Sequence, residues 1–196
     1  MVLISCGKDS TCFKGTGDKV QEHRAIVVDV SRIIAEDNIN IVITQSDEPV
    51  MIVEGGENLL PYIKTDVSGT VLSISSDNKS GMFRDNTIPI TVYLSIPNLV
   101  NIDYTGQGNI SSTNTLILPF LNIDSRTGTG SFNLNLNVEE LAIKQHSGPA
   151  DFRIAGNVNS LYVYTLGSGW FYLDKLVSNI VHVNHSGIGD VFVNAT

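Results

Sequence analysis

The second half of the chain alternates apolar and polar residues, and short glycine-containing turns interrupt this alternation at regular intervals. The turns recur about every 20 residues, a period that is typical of stacked repeats whose units bury apolar faces on one another. They are Thr105–Asn109, Thr127–Ser131, Ser147–Asp151, Leu166–Trp170 and Ser186–Asp190. The pattern predicts a β-solenoid and argues against a scaffold built around one catalytic loop.

Four apolar columns can be aligned across the five repeats, two before each turn and two after it. Because alternate side chains of a strand point to opposite faces, the columns are expected to stack about 4.8 Å apart into one core. The first two columns are Val100, Leu121, Leu141, Leu161 and Val181, then Ile102, Ile123, Ile143, Val163 and Val183. The other two are Ile110, Phe132, Phe152, Phe171 and Val191, then Ser112, Leu134, Ile154, Leu173 and Val193. The turn glycines are expected to supply positive φ angles at the corners.

The N-terminal half also alternates with the period of a strand. Pro61 limits residues 58–63 to a short helical turn, and residues 77–86 are predicted to form a loop. The predicted strands are Ala25–Val30, Asn38–Thr44, Val50–Val53, Val71–Ile74 and Ile88–Ile96. We expect these strands to cap or extend the coil. Residues 23–196 would then form one all-β domain, a right-handed parallel β-helix-like solenoid with clear repeats over 99–196.

Residues 1–22 are predicted to lie outside this domain. Leu3-Ile4-Ser5-Cys6 matches the end of a bacterial lipoprotein signal, which would place a lipid on Cys6, and residues 7–21 have the polar composition of a flexible tether. A disulfide between Cys6 and Cys12, or two free thiols, are the alternatives. Two cysteines six residues apart make a poor disulfide framework, which favours lipidation.

Composition excludes several classes of function. Charged residues make up 16% of the 196-residue chain and the formal net charge is −8, which argues against binding to nucleic acid or to anionic lipid heads. No stretch approaches the roughly 18 apolar residues of a membrane-spanning helix. No helix is predicted after the Gly-x-Gly turns, so they are not nucleotide loops, and no cofactor is implied.

Three features together carry a family resemblance: the Gly-x-Gly-Asp-type repeats, the strand at Asn38–Ile41, and the segment Val53–Leu60. Over about residues 25–194 the chain resembles the putative auto-transporter adhesin, head GIN domain family of Bacteroidetes. The resemblance implies a secreted or surface β-solenoid, usually lipid-anchored, with an adhesive role and no catalytic residues to transfer. It implies a location at the outer membrane, the cell surface or the periplasm. Ala150 and Trp170 depart from the repeat pattern.

The histidines invite a metal-site hypothesis, since His146 and His185 both precede Ser-Gly. Two repeats would separate them by roughly 9.6 Å, too far to converge on one zinc ion. His182 is nearer to His185, but no cysteine or acidic group completes a site. We therefore interpret these residues as solvated turn histidines and predict no metal.

A catalytic hypothesis rests on Asp151 and Asp190, which share a column at roughly the spacing of the carboxylates of inverting glycosidases. They are expected on an exposed turn edge with Trp170 between them, where nothing would raise the pKa of either carboxyl group. Hydrogen bonds from turn amides explain these aspartates more simply. Ser147 and Ser186 belong to repeating turns and lack a nucleophile motif.

Aromatic residues concentrate near the end of the coil, at positions where a strand usually carries polar side chains. The predicted partner surface consists of Trp170, Tyr162, Tyr164, Tyr172 and Phe192. Such faces bind sugar rings or protein partners through flat apolar contact, whereas packing under a loop or a neighbouring chain is the alternative.

The last predicted strand ends near the end of the sequence without an evident cap. An open edge invites pairing, so we predict a homodimer through this C-terminal edge. The favoured function is a non-enzymatic, envelope-anchored adhesin that binds a glycan or a protein. The alternatives are an envelope sensor or structural stalk and, third, a degenerate polysaccharide-degrading β-helix enzyme.

Overall fold

A computed structural model describes residues 15–26, 30–77 and 88–196 of the chain. These residues form a β-solenoid of about five turns, as predicted, with strands that belong to one continuous sheet. The strands are β1 (Lys19–Arg24), β2 (Arg32–Ala35), β3 (Ile39–Gln45), β4 (Val50–Gly56), β5 (Ile63–Ser68), β6 (Val71–Ser76), β7 (Ile90–Ile96), β8 (Asn101–Tyr104), β9 (Ile110–Ser125), β10 (Ser131–Gln145), β11 (Asp151–Thr165), β12 (Phe171–His185) and β13 (Val191–Ala195). Among the described residues, no helix is long and apolar enough to cross a membrane.

The repeat is built from one long strand and one glycine turn, rather than from the two short strands that the sequence predicts. Strands β9 to β12 each run 15 or 16 residues from one turn to the next, and β9 to β13 pair in parallel in chain order. Three of these four pairings contain one register shift, for example between Arg153 and Gly156, whereas β10 and β11 pair without one. Such bulges bend a strand, so the long strands can continue round a corner of the coil.

The predicted stacking of apolar columns is confirmed. Phe152 pairs in register with Phe132 on one side and Phe171 on the other, and all three side chains are fully buried. Their ring centroids lie 4.8 and 4.6 Å apart, with ring planes within 12° and 19° of parallel. The rings of Tyr104 and Phe132 form a T-shaped contact, with centroids 5.1 Å apart. Each aromatic contact contributes about 0.5–1.5 kcal/mol beyond the area that it buries.

The fourth column departs from the prediction at its first member and again between Ile154 and Leu173, which are not register partners. The register between β9 and β10 shifts beside Asn133, so Ser112 does not pair with Leu134. The Ser112 hydroxyl instead accepts the backbone N–H of Asn135 at 3.0 Å. Further core columns continue along the same long strands beyond those aligned from the sequence. They include Leu116, Leu118, Leu136, Val138, Val158 and Leu176, all buried.

The turn glycines are required mainly for close stacking of successive turns. The expectation of positive φ angles holds only at Gly148, where φ is 85°, although the structure describes every turn glycine in the repeats. A Cβ atom on Gly130 would lie 2.1 Å from the carbonyl oxygen of Gly108, and one on Gly189 would lie 2.0 Å from that of Gly169. A side chain at these positions would therefore push adjacent turns apart.

A polar column lies next to the turns and consists of Tyr104, Ser125, Gln145, Thr165 and His185. The first four are buried inside the coil, whereas His185, in the last turn, is exposed. Three of its members, Tyr104, Gln145 and His185, contact carbonyl groups of their own turns, and the Thr165 hydroxyl donates to Gln145 Oε1 in the preceding turn. The Tyr104 hydroxyl donates to the Gly108 carbonyl at 2.6 Å, and Gln145 Nε2 donates to the Ala150 carbonyl at 2.8 Å. Burial raises the pKa of Tyr104 to about 12, which keeps this hydroxyl protonated as a donor.

The N-terminal strands extend and cap the coil, as predicted. Strand β3 pairs in parallel with the start of β9, and β8 pairs with its end, so two walls grow from the first long strand. On one wall β7, β4 and β1 follow β3; on the other, β2, β6 and β5 follow β8. The outermost pairings, β1 with β4 and β5 with β6, are antiparallel.

The predicted boundary between tether and domain is wrong by a few residues. Strand β1 begins at Lys19 and pairs with β4, so Lys19–Glu22 belong to the solenoid rather than to the tether. Strands β2 and β5 were not predicted. The short helical turn is confirmed as a 3₁₀ helix at Leu60–Tyr62. Residues 1–14, with Cys6 and Cys12, lie outside the described residues, as do residues 27–29 of the predicted first strand and residues 78–86 of the predicted loop.

Candidate ligand-binding site

The five predicted aromatic residues form two groups rather than one surface. Trp170, Tyr172 and Phe192 lie just after the glycine turns, at or near the starts of β12 and β13, whereas Tyr162 and Tyr164 lie before the turn on β11. Within the described part of the chain, the ring contacts of the two groups do not connect them. The turn changes the direction of the chain, so residues close in sequence lie on different parts of the outer surface.

The first group, which we call the ring stack, consists of Trp170, Tyr172 and Phe192. Tyr172 and Phe192 are register partners, and Trp170 shares the outer face of the sheet with Tyr172 because the two residues are two positions apart. The three centroid distances are 5.8 to 6.2 Å, and the ring planes lie within 21° of parallel. Trp170 is 40% and Phe192 43% exposed. The stack is therefore an ordered, partly exposed aromatic surface.

Arg153 supports the ring stack from the preceding turn of the coil. It is the register partner of Tyr172, and its guanidinium carbon lies 4.6 Å from the centre of the tyrosine ring. Because Arg153 and Phe192 are the neighbours of Tyr172 in its column, they cover its two faces. The stack therefore offers a ligand mainly the rings of Trp170 and Phe192.

Asp151 connects the turn to this support. One carboxylate oxygen accepts the backbone N–H of Trp170 at 2.9 Å, and the other lies 3.3 Å from Nη2 of Arg153. The prediction that this aspartate binds a turn amide is confirmed. Asp151 therefore helps to position both Trp170 and the arginine under Tyr172.

A cleft of about 470 Å³ opens beside the ring stack. A register shift in β12 near Asp174 and Lys175 forms one side of it, and Asn133 and Arg153 contribute from the two preceding turns. Tyr172 lines the cleft as well. The aromatic surface is therefore continuous with a space that contains amide, carboxylate and cationic groups.

The second aromatic group is more covered. The Tyr162 ring stacks on His182 at 5.4 Å, and Tyr164 lies 5.6 Å from the His146 ring. His146 Nε2 in turn lies 3.2 Å from the carboxylate of Asp124. Both tyrosines are half-buried, so this group has less open ring surface than the ring stack.

The histidines do not share a column as the sequence suggested. His185 pairs in register with Thr165, and its Nε2 lies 2.6 Å from the carbonyl of Gly189, inside the polar column that fastens the turns. His146 lies one position further along, since its N–H donates to the Ser125 carbonyl. In the described ranges, no group of three or more histidine, cysteine, aspartate or glutamate side chains could hold a metal ion.

The two aspartates of the catalytic hypothesis flank Trp170, as expected. The N–H of Phe152 donates to the Trp170 carbonyl, and that of Phe171 donates to the Asp190 carbonyl, which orders the three turns. Asp151 already accepts a turn amide and pairs with Arg153. This geometry supports a structural role for Asp151 rather than that of a free acid or base.

The polar half of the site was not predicted from the sequence. Arg153, Asp174 and Lys175 were not identified as site residues from the sequence. The alternation places Arg153 outward, in the same column as Tyr172, and that pairing could have been recognised. The bulge that brings Asp174 and Lys175 to the cleft has no comparable sequence signal.

Comparison with known proteins gives a consistent result. A family model described as "Putative auto-transporter adhesin, head GIN domain" matches residues 29–196, whereas no curated protein matches significantly. A putative adhesin from Bacteroides fragilis is 23% identical with a TM-score of 0.85, covering 93% of this chain and 84% of that one. A putative adhesin from Parabacteroides merdae is 21% identical with a TM-score of 0.62, covering 89% and 80%.

A third solved structure, a putative lipid binding protein from Parabacteroides distasonis, is 17% identical with a TM-score of 0.65 and covers 86% of this chain and 78% of that one. At these identities the solved structures show a shared fold alone. The family model, in contrast, spans nearly the whole solenoid, including β2 to β13. The chain therefore belongs to the putative auto-transporter adhesin, head GIN domain family.

Proposed function

We propose that the protein is a non-enzymatic adhesin of the cell envelope that binds a glycan through the ring stack and the adjoining cleft. Membership of an adhesin family supports the adhesive role and the envelope location. A lipid on Cys6 would provide the anchor; this part of the proposal rests on the sequence of residues 3–6. The observation that carries the proposal is the parallel, partly exposed stack of Trp170, Tyr172 and Phe192.

A sugar ring matches the chemistry of this surface. One face of a pyranose carries mostly C–H groups and packs on an aromatic ring, while its hydroxyl groups remain at the edge and need hydrogen-bond partners. The cleft supplies such partners in Asn133, Asp174 and Lys175. Its volume of about 470 Å³ falls within the usual range for small-ligand sites, roughly 300–1,000 Å³.

The adhesive role is favoured over an enzymatic one by the state of the carboxylates. A glycosidase needs one carboxyl group that keeps its proton and a second that stays free to act. Asp151 is instead bound to a backbone amide and to Arg153. A sensor or stalk would not require an ordered aromatic surface, and a binding assay separates this alternative from adhesion.

The test is a glycan array on the purified protein, followed by titration calorimetry with the best oligosaccharide. Trp170→Ala is expected to weaken binding about tenfold or more, because it removes one of the two open rings of the stack. Ile117→Ala is the matched control, since Ile117 is also exposed but lies on β9, far along the coil.

Unchanged affinity in Trp170→Ala would overturn the assignment of the site, and the absence of any glycan ligand would favour the stalk. Turnover of a polysaccharide that Asp151→Asn abolishes would favour the enzyme.

A further inference from the structure

The C-terminal end of the coil exposes the interior of the solenoid. Each of the four core columns ends in a valine, and we call these four residues, Val181, Val183, Val191 and Val193, the C-terminal face. In the preceding turn their register partners are fully or almost fully buried, whereas Val183 is 37% and Val193 39% exposed. Ile188, in the last turn, is 86% exposed. No described residue covers this face.

The backbone at this end is also open. The N–H of Phe171 donates to the Asp190 carbonyl, and the N–H of Thr196 donates to the Ser178 carbonyl, so even-numbered residues of the last rung face β12. By the alternation of a β-ladder, the N–H and C=O groups of Val191, Val193 and Ala195 point away from it. Among the described strands, none pairs with β13 on that side.

The residues of this edge do not oppose pairing. Strand β13 reads Val-Phe-Val-Asn-Ala, without a charge, a proline or a bulge of its own. The edge at the other end of the sheet, β1, reads Lys-Val-Gln-Glu-His-Arg and carries the charges that commonly prevent contact between edges. The uncharged edge of β13 lies beside the apolar C-terminal face, so charge repulsion does not oppose contact there.

We propose that this surface binds a second copy of the same chain, end to end, about a two-fold axis. An edge strand complements itself in the antiparallel direction. With the axis at Val193, the outward backbone groups of Val193 pair with their own copies, and those of Val191 pair with those of Ala195. Such an axis, normal to the sheet, keeps Phe192 of both copies on one outer wall. This interface forms whether or not the ring stack binds a glycan.

The size of the end face sets the expected affinity. A rung of about 20 residues folded into two walls roughly 10 Å apart presents an end face of roughly 500 Å². The dimer would bury about 1,000 Å² in total, at the low end for specific interfaces. Association in the micromolar range follows.

The test is sedimentation equilibrium of the full chain from about 5 to 500 μM, with Val193→Pro and Val193→Ala as a matched pair. Proline removes the central outward N–H without removing a bond to β12, whereas alanine keeps that N–H. We expect the wild type to reach twice the 21.2 kDa chain mass. Val193→Pro should weaken association at least tenfold, and Val193→Ala should weaken it less.

Far-UV circular dichroism checks that each variant is folded. Ala195→Pro provides a second variant that blocks pairing. It lies at the last residue of β13, where a substitution disturbs the final turn of the coil little. A wild type that stays at the single-chain mass at 500 μM would overturn the proposal, as would dimers that both proline variants leave intact. Equal effects of proline and alanine at position 193 would exclude backbone pairing.

Discussion

The two ends of the solenoid are finished in opposite ways. At the N-terminal end, antiparallel strands and a 3₁₀ helix cover the core. There the apolar part of the column that contains the stacked phenylalanines ends in the fully buried Val53, which pairs in register with the exposed Glu22 of β1. At the C-terminal end, that column ends in the half-exposed Val191. A repeat that stacks on itself has no built-in stopping point, so each end needs a separate solution. Here described strands cap one end, and no described residue covers the other.

Polar side chains close the N-terminal end. Arg24 of β1 reaches from one wall to the other, where it donates to the carbonyl oxygens of Ile63 at 2.6 Å and Leu60 at 3.0 Å. On its own wall, Glu54 accepts hydrogen bonds from Lys19 and Gln21, each at 2.7 Å. These contacts fix β1 in place as the last strand. Among the described residues, the C-terminal face has no equivalent clasp.

The largest loss of folding stability is expected from Arg24→Ala. The side chain is only 15% exposed, and its removal leaves two carbonyl groups and the Thr65 hydroxyl without their donor. Hydrogen bonds from a charged group contribute about 1.5–3 kcal/mol, so the free energy of unfolding should fall by about 2–3 kcal/mol. Urea denaturation measures the change.

Arg32→Ala is the control for this prediction. Arg32 also bridges two strands through Asp103, but its side chain is 49% exposed, so the expected loss is below about 1 kcal/mol. Equal losses of unfolding free energy in the two variants would contradict this prediction. They would show that the hydrogen bonds of Arg24 between the two walls stabilise the protein no more than an exposed ion pair does.

A smaller difference in stability is expected between valine-to-alanine substitutions at the two ends of one column. Val53→Ala removes two methyl groups from a fully buried site and should cost roughly 2 kcal/mol. Val191→Ala makes the same chemical change where the side chain already meets solvent, so the expected cost at low protein concentration is below about 1 kcal/mol. Denaturation of both variants at a few micromolar checks the difference. A Val191→Ala loss as large as that of Val53→Ala would mean that the C-terminal face is covered in solution.

The repeats could be predicted from the sequence because each column repeats a local alternation at a fixed period. Phe132, Phe152 and Phe171 are equivalent in sequence and therefore equivalent in space. The glycines were also recognised, but for a reason that is mostly wrong. Close approach between carbonyl oxygens and the next turn, as at Gly130, is a property of neighbouring turns and cannot be seen in one turn.

The ends and the site depended on contacts that alternation does not encode. Strand β1 is polar and becomes a strand only because β4, some thirty residues later, offers a free edge. The aromatic residues were found as exceptions to the pattern, but their division into two groups follows from the direction of the turn at 166–170. The cleft beside Tyr172 depends on a one-residue bulge near Asp174, which the sequence does not mark.

The smallest expected change in stability comes from Glu54, whose contribution at the N-terminal end depends on pH. The hydrogen bond from Lys19, followed by that from Gln21, lowers the pKa of Glu54 below its ordinary value of 4.5. A lowered pKa in the folded state means that the unfolded chain binds the proton more readily, so this contribution to stability is present above about pH 4.5 and disappears as the pH falls through the folded-state value. Glu54→Gln should therefore lower the free energy of unfolding at pH 7 and flatten its decline between pH 5 and about pH 3. Since Lys19 is exposed, solvent screens the pair and the difference should be modest. Urea titrations of the wild type and Glu54→Gln across this pH range measure the difference. The two proteins share every other carboxylate. Parallel curves of unfolding free energy against pH would therefore show that Glu54 does not hold β1 in place through its charge.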